Sequence, residues 1–205
     1  MKPLLNSYEQ LKAHLQLDYE LPITVDWSAA ADFLFLIKDH CLTARPANIV
    51  ECSSGLTTLV LARCCQLNGS GKVFSLENGE EYVQQTRHNL KRFGLEDFAD
   101  VIHAPLEEFL LSGDEYQWYE TTKLPSINID MLVIDGPPGF IQKHSRFPAL
   151  PKLFNQLSDE SRVFLDDAGR DEEKQIVDKW LALYPVLTHE YIETQRGCSV
   201  LTVRK

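Results

Sequence analysis

Ile49-Val50-Glu51-Cys52-Ser53-Ser54-Gly55-Leu56-Thr57-Thr58 is the stretch on which the reading of the fold turns. A β-branched run ends in an acid, passes through small residues, and opens into the Leu/Ala-rich "LVLAR". Strand, tight loop and helix in that order begin a nucleotide-binding α/β unit. Glu51 narrows the choice. A dinucleotide fold must receive a pyrophosphate at this turn, and a carboxylate ending the strand opposes that anion where helix N–H groups should attract it. The guest expected here carries positive charge and no phosphate.

The alternation continues outward from this turn. Asn68-Gly69-Ser70-Gly71 returns the chain to "KVFSLE", a strand ending at Glu77, and a helix over 80–93 closes at Gly94 before the strand "DVIHA", 100–104. "IDMLVIDGPPG" is almost continuously apolar, as a central parallel strand covered on both faces should be, and it ends in Asp135. The prolines that follow then force the chain off the sheet. "RVFLDDA", 162–168, ends in Asp166 and Asp167, a helix over 171–184 stops at Pro185, and "VLTHEYIE" with "CSVLTVRK" reads as a terminal hairpin. The expected class is α/β: a doubly wound, mostly parallel seven-stranded sheet with a C-terminal antiparallel hairpin. Upstream, Leu4, Tyr8, Leu11 and Leu15 recur at helical spacing within a helix expected over 3–17. Asp26 or Ser28 is expected to cap a second helix, 29–42, whose "FLFLI" run should be buried against the sheet edge. Residues 1–25 thus read as a helical extension to a domain spanning 26–205. The polar and aromatic stretch 112–126 has weak periodicity and reads as a surface insertion.

Composition limits the partners. The 205 residues suffice for one α/β domain with a full core. Thirty acids against twenty bases give a formal charge of −10, which opposes nucleic acid and anionic lipid. The densest basic pair, Lys91-Arg92, falls in the last turn of a helix, where cations meet the helix dipole. Five cysteines lack ligand or disulfide spacing. With no apolar leader or spanning segment expected, the localisation expected is cytoplasmic, with no membrane partner. A homodimer is left open.

The pattern Glu51-x-Ser53-x-Gly55-x-Thr57 resembles motif I of the class I S-adenosylmethionine-dependent methyltransferases, E/D-x-G-x-G-x-S/T, and the likeness continues at matching spacing over 26–205. Ser53 stands where the first glycine usually sits, a position at which the backbone needs φ > 0 or close approach to the ligand. S-adenosylmethionine carries an ammonium and a sulfonium and no phosphate, so an acid suits it. The resemblance implies a cofactor held by Glu51, Ser53, Gly55 and Thr57, with Glu77 accepting the ribose hydroxyls beside Asn78. The adenine then lies along Ala104 and Leu106, and Asp135 stands at the methyl-bearing end. The other reading of Glu77, an acid favouring a helix N-terminus, leaves the joint spacing unexplained.

An acid ending each of four parallel strands calls for a cation among them, since like charges repel. Asp135, Asp166 and Asp167 form an all-oxygen set suited to Mg²⁺ or another divalent ion. This resembles the catechol-type O-methyltransferases, with Asp167 in place of their asparagine and Pro138 where a general-base lysine often stands. The alternative is that the two aspartates cap the loop and helix after their strand. Candidate catalytic residues are Asp135, His144 and Arg146. His144 is a proton acceptor or a solvated loop histidine; Arg146 holds a substrate group or pairs with the acidic rim, and its loop is expected to form the substrate wall. Lys143 is a further substitute for the missing lysine. His103 reads as a packed strand residue. The expected activity is methyl transfer to a hydroxyl of a small-molecule or glycan-like acceptor. A non-catalytic protein of the same fold that binds the same ligand is the alternative, and a nicotinamide dehydrogenase lacks its G-x-G-x-x-G.

Overall fold

The computed structural model describes residues 7–111 and 113–205. Seven strands form one sheet in the order β3-β2-β1-β6-β7-β9-β8. They are β1 (Asn48–Cys52), β2 (Lys72–Glu77), β3 (Ala99–His103), β6 (Ile129–Ile134), β7 (Leu157–Leu165), β8 (Leu187–Ile192) and β9 (Cys198–Val203). The first five run parallel, whereas β9 is antiparallel to both β7 and β8, so the terminal hairpin inserts its second strand into the sheet. β1 and β6 are buried almost throughout, which is why their sequences carry apolar residues without alternation.

Among the described residues six α-helices accompany the sheet: α1 (Tyr8–His14), α2 (Ala31–Ala44), α3 (Leu56–Asn68), α4 (Glu80–Arg92), α5 (Ala149–Leu153) and α6 (Asp171–Leu183). The helix expected over 3–17 is shorter within the described residues, and positions 3–6, with Leu4, lie outside them. Ser7 caps α1 through a reciprocal pair with Gln10, and Leu11 and Leu15 are fully buried. Two expectations for α2 are corrected. Its N-cap is Ala30, without a side-chain cap, because the Ser28 hydroxyl already accepts the Thr24 amide. The helix also lies over the sheet's face, not its edge: the His40 ring meets Phe164 of β7 at 5.2 Å, and a helix apolar on many sides finds cover from both sheet and neighbouring helices only there.

The stretch read as a surface insertion is the second half of a hairpin, β4 (Leu106–Leu111) and β5 (Asp114–Tyr119). Trp118 is fully buried and Tyr119 almost so, because the hairpin lays its aromatic side against the face opposite α2. Tyr116 packs on Phe147, and Trp118 meets Tyr119 edge-to-face at 5.0 Å.

Candidate active site

The strand order reverses beside β1: the chain leaves β3 on one side and returns to β6 on the other. Open α/β sheets bind ligands at that switch point, beyond the carboxyl ends of the strands. Backbone bonds hold those ends level. Ser53 N donates to Leu76 O at 2.9 Å, Asp135 N to Cys52 O at 3.2 Å, and Asp166 N to Ile134 O at 3.1 Å. Glu77, the motif I loop, Asp135 and Asp166 therefore share one rim.

On the β1–β2 side the loop is tightly fastened. Ser53 has φ +115° and Gly55 φ +135°. The glycine tolerates this region and the serine is strained in it. Glu51 is fully buried: Thr58 and Ser75 hydroxyls each donate to its Oε2 at 2.6 Å, while Oε1 has no partner. Burial pushes its carboxyl up to about 7, against hydroxyl donors that include Thr57. Glu77 accepts the Ser54 hydroxyl at 3.0 Å and the Gly79 amide at 2.9 Å, and burial raises it too. Asn78 beside it is half-buried. Ala104, buried, donates its amide to Glu77 O at 2.8 Å, and Leu106 opens β4, so both adenine-side candidates flank the same edge.

On the β6–β7 side a buried arginine stands among the acids. Arg146 Nη2 donates to Asp135 O at 2.8 Å, Asp135 Oδ1 at 3.2 Å and Asp167 Oδ2 at 2.9 Å, while Nη1 donates to Asp166 O at 2.9 Å. Glu173, also buried, lies 4.0 Å from Nη1. Arg170 Nη2 stands 3.0 Å from Asp167 Oδ1, an ion pair without hydrogen-bond geometry. The sequence marked Arg146 but neither Glu173 nor Arg170; their (i, i+3) spacing at the start of α6 was the signal. Both carboxylate oxygens of Asp166 are buried without partners, and burial together with Asp135 and Asp167 pushes that carboxyl well above the ordinary range.

Asp135, Asp166 and Asp167 each offer an oxygen within 4.8 Å of the others. A divalent ion would sit about 2.0 to 2.6 Å from such oxygens. Arg146 holds one oxygen each of Asp135 and Asp167, so an ion shared by the trio would lie beside a fixed guanidinium. That fixed positive charge disfavours a divalent ion at the trio, although both oxygens of Asp166 lack a partner.

His144 is placed elsewhere. Its Nδ1 accepts from Lys179 at 3.3 Å, so Nε2 carries the hydrogen and donates to Gln175 Oε1 at 2.8 Å, which commits the ring to α6. The substrate wall expected around Arg146 is corrected as well, since residues 144–150 are buried. Gly139, Phe140 and Lys143 are the exposed residues of that loop, and Phe140 meets Trp27 at 6.4 Å. His103 pairs with Glu80 at 3.1 Å. A groove of about 440 Å³ opens beside Asp167, lined by Arg170, Tyr191, Thr194 and Arg196.

The seven-stranded order with a reversed terminal hairpin is that of the Rossmann-like class I methyltransferases. The methyltransferase-domain family matches residues 50–168, and the chain belongs to it. Solved structures share the fold at low identity. The Bacillus cereus O-methyltransferase bound to S-adenosylhomocysteine is 16% identical with TM-score 0.66, covering 100% of this chain and 93% of that one. The Streptomyces achromogenes O-methyltransferase of tomaymycin synthesis, in complex with S-adenosylmethionine, is 14% identical with TM-score 0.65, covering 96% and 87%. The S-adenosylhomocysteine-bound methyltransferase of Podospora anserina is 14% identical with TM-score 0.68, covering 98% and 89%. No curated protein shows significant sequence similarity to the chain. Among the described residues no helix is long and apolar enough to cross a membrane.

Proposed function

We propose that this methyltransferase moves the methyl group of S-adenosylmethionine to a hydroxyl oxygen of a small-molecule or glycan-like acceptor, without a divalent ion. The observation that carries this reading is the level row of Glu77, Asp135 and Asp166 around the motif I loop, with Glu51 beneath it. Such a row suits a ligand positive at sulfur and nitrogen and repels one carrying phosphate. Two structural neighbours are O-methyltransferases, which supports oxygen as the acceptor atom.

Each side of the crevice has its task. Glu77 accepts the ribose hydroxyls, and the unpartnered Oε1 of Glu51 faces the ammonium. Methyl transfer is one displacement, governed by alignment and by deprotonation of the attacking oxygen. Asp135, at 13% the most exposed carboxylate of its trio, is the proton acceptor: burial raises its carboxyl while Arg146 opposes the rise. Arg146 keeps that carboxylate oriented and supplies the positive charge that a metal supplies in the catechol-type enzymes. The acceptor enters from the groove beside Asp167.

The test is incubation with methyl-labelled S-adenosylmethionine and panels of phenolic, aliphatic and sugar hydroxyls. Label recovered as a methyl ether supports the reading. Label on nitrogen or carbon, with none on oxygen, contradicts it.

A further inference from the structure

The rim where β1 and β6 end is bounded by a residue that belongs to neither strand. Tyr119 ends β5, and the Glu120 amide, donating to Pro105 O at 2.9 Å, ties the hairpin's end back to the chain leaving β3. The ring is held by Trp118 edge-to-face and is 1% exposed. A Cβ placed on Gly136 would lie 2.5 Å from the Tyr119 hydroxyl oxygen, 3.2 Å from Ser53 Cβ and 3.3 Å from Cys52 O. The hydroxyl, the exit of β1 and the exit of β6 thus converge on one point, the switch point itself. Gly136 is glycine because a side chain there would strike that hydroxyl.

Burial first, then Cys52, Glu77 and Asp135, opposed by Arg146, raise this phenol well above its ordinary range. It stays protonated and has a hydrogen to give. The rim is otherwise rich in acceptors: Glu77 ends β2 and Asp135 follows β6 there, with Glu51 buried beneath them. The methyl donor is not uniformly cationic, since its amino-acid end carries a carboxylate beside the ammonium. Those acids attract the ammonium and sulfonium and repel the carboxylate, which loses its solvation unpaired unless a donor meets it.

We infer that the Tyr119 hydroxyl donates to the carboxylate of the S-adenosylmethionine amino-acid end, making it a cofactor-binding residue supplied by the inserted hairpin. This rests on the function proposed above.

The experiment is calorimetric titration of the wild type and Tyr119→Phe with S-adenosylhomocysteine and with its decarboxylated analogue, which keeps the amine and lacks the carboxylate. Phenylalanine preserves the packed ring, and the unfolding midpoint checks that it does. Loss of a hydrogen bond to a charged group should weaken S-adenosylhomocysteine binding about tenfold to a hundredfold. Binding of the analogue should be unchanged. Equal binding of S-adenosylhomocysteine by wild type and Tyr119→Phe overturns the inference, as does an equal loss for both ligands. A wild type that binds neither ligand overturns the methyl-donor reading itself and the inference with it.

Discussion

Arg146 Nη2 lies 2.9 Å from Asp167 Oδ2, with both side chains 4% exposed, so a complete ion pair is shut inside the rim of the sheet. Removing one partner of such a pair leaves an uncompensated buried charge. Arg146→Met should destabilise the protein by about 3 to 5 kcal/mol. Urea unfolding monitored by tryptophan fluorescence measures this, and a change below about 1 kcal/mol, the size of an exposed pair, would contradict it.

The same guanidinium sets the metal dependence. Because Asp135 and Asp167 already hold Arg146, methyl transfer should be unchanged by excess chelator and by added Mg²⁺. Initial rates after exhaustive chelation decide the point, and activity restored only by a divalent ion would reverse it.

Ser53 at φ +115° holds a conformation that costs a non-glycine residue about 1 to 3 kcal/mol. Ser53→Gly relieves that strain against about 0.4 to 1 kcal/mol of extra freedom in the unfolded chain. The net effect should be stabilising, seen as a higher urea midpoint with an unchanged slope. A lower midpoint would show that the serine side chain makes a contribution larger than its strain.

Stability should fall as pH rises through the acid-to-neutral range. Glu51 moves from an ordinary 4.5 to about 7 in the folded protein, so between those values the native state holds a proton that the unfolded chain has released. Its contribution is fully present below 4.5 and is lost as pH climbs through 7. Asp166 acts in the same direction, its carboxyl raised by burial and by Asp135 and Asp167. Glu51→Gln should therefore flatten part of the slope without abolishing it, as urea unfolding at a series of pH values would show. A variant as pH-dependent as the wild type would rule out the assigned burial cost.

The rim was legible because each of its acids ends an apolar run of strand length. Glu77 closes β2, and Asp135 and Asp166 lie one residue beyond β6 and β7. Tyr119 was not legible. β4 places Glu107 and Glu108 side by side, and β5 shows buried-exposed alternation only from Tyr116 to Trp118, too short a period-2 signal to outweigh its polar neighbours. Gly113, between β4 and β5, was the available clue to a turn. Arg146 was visible as a residue, but its burial depends on acids 11 and 21 positions away being folded around it, which no local pattern encodes.

The central claim is that the acid-lined crevice between β2, β1 and β6 holds the adenosyl amino acid. Titration calorimetry of S-adenosylhomocysteine into the wild type and Glu77→Gln tests it most directly. The account expects one-to-one binding to the wild type, weakened by about 1 to 3 kcal/mol in the variant as the ribose loses its carboxylate acceptor. Equal affinity in both folded proteins, or no binding to either while NAD binds, would contradict it.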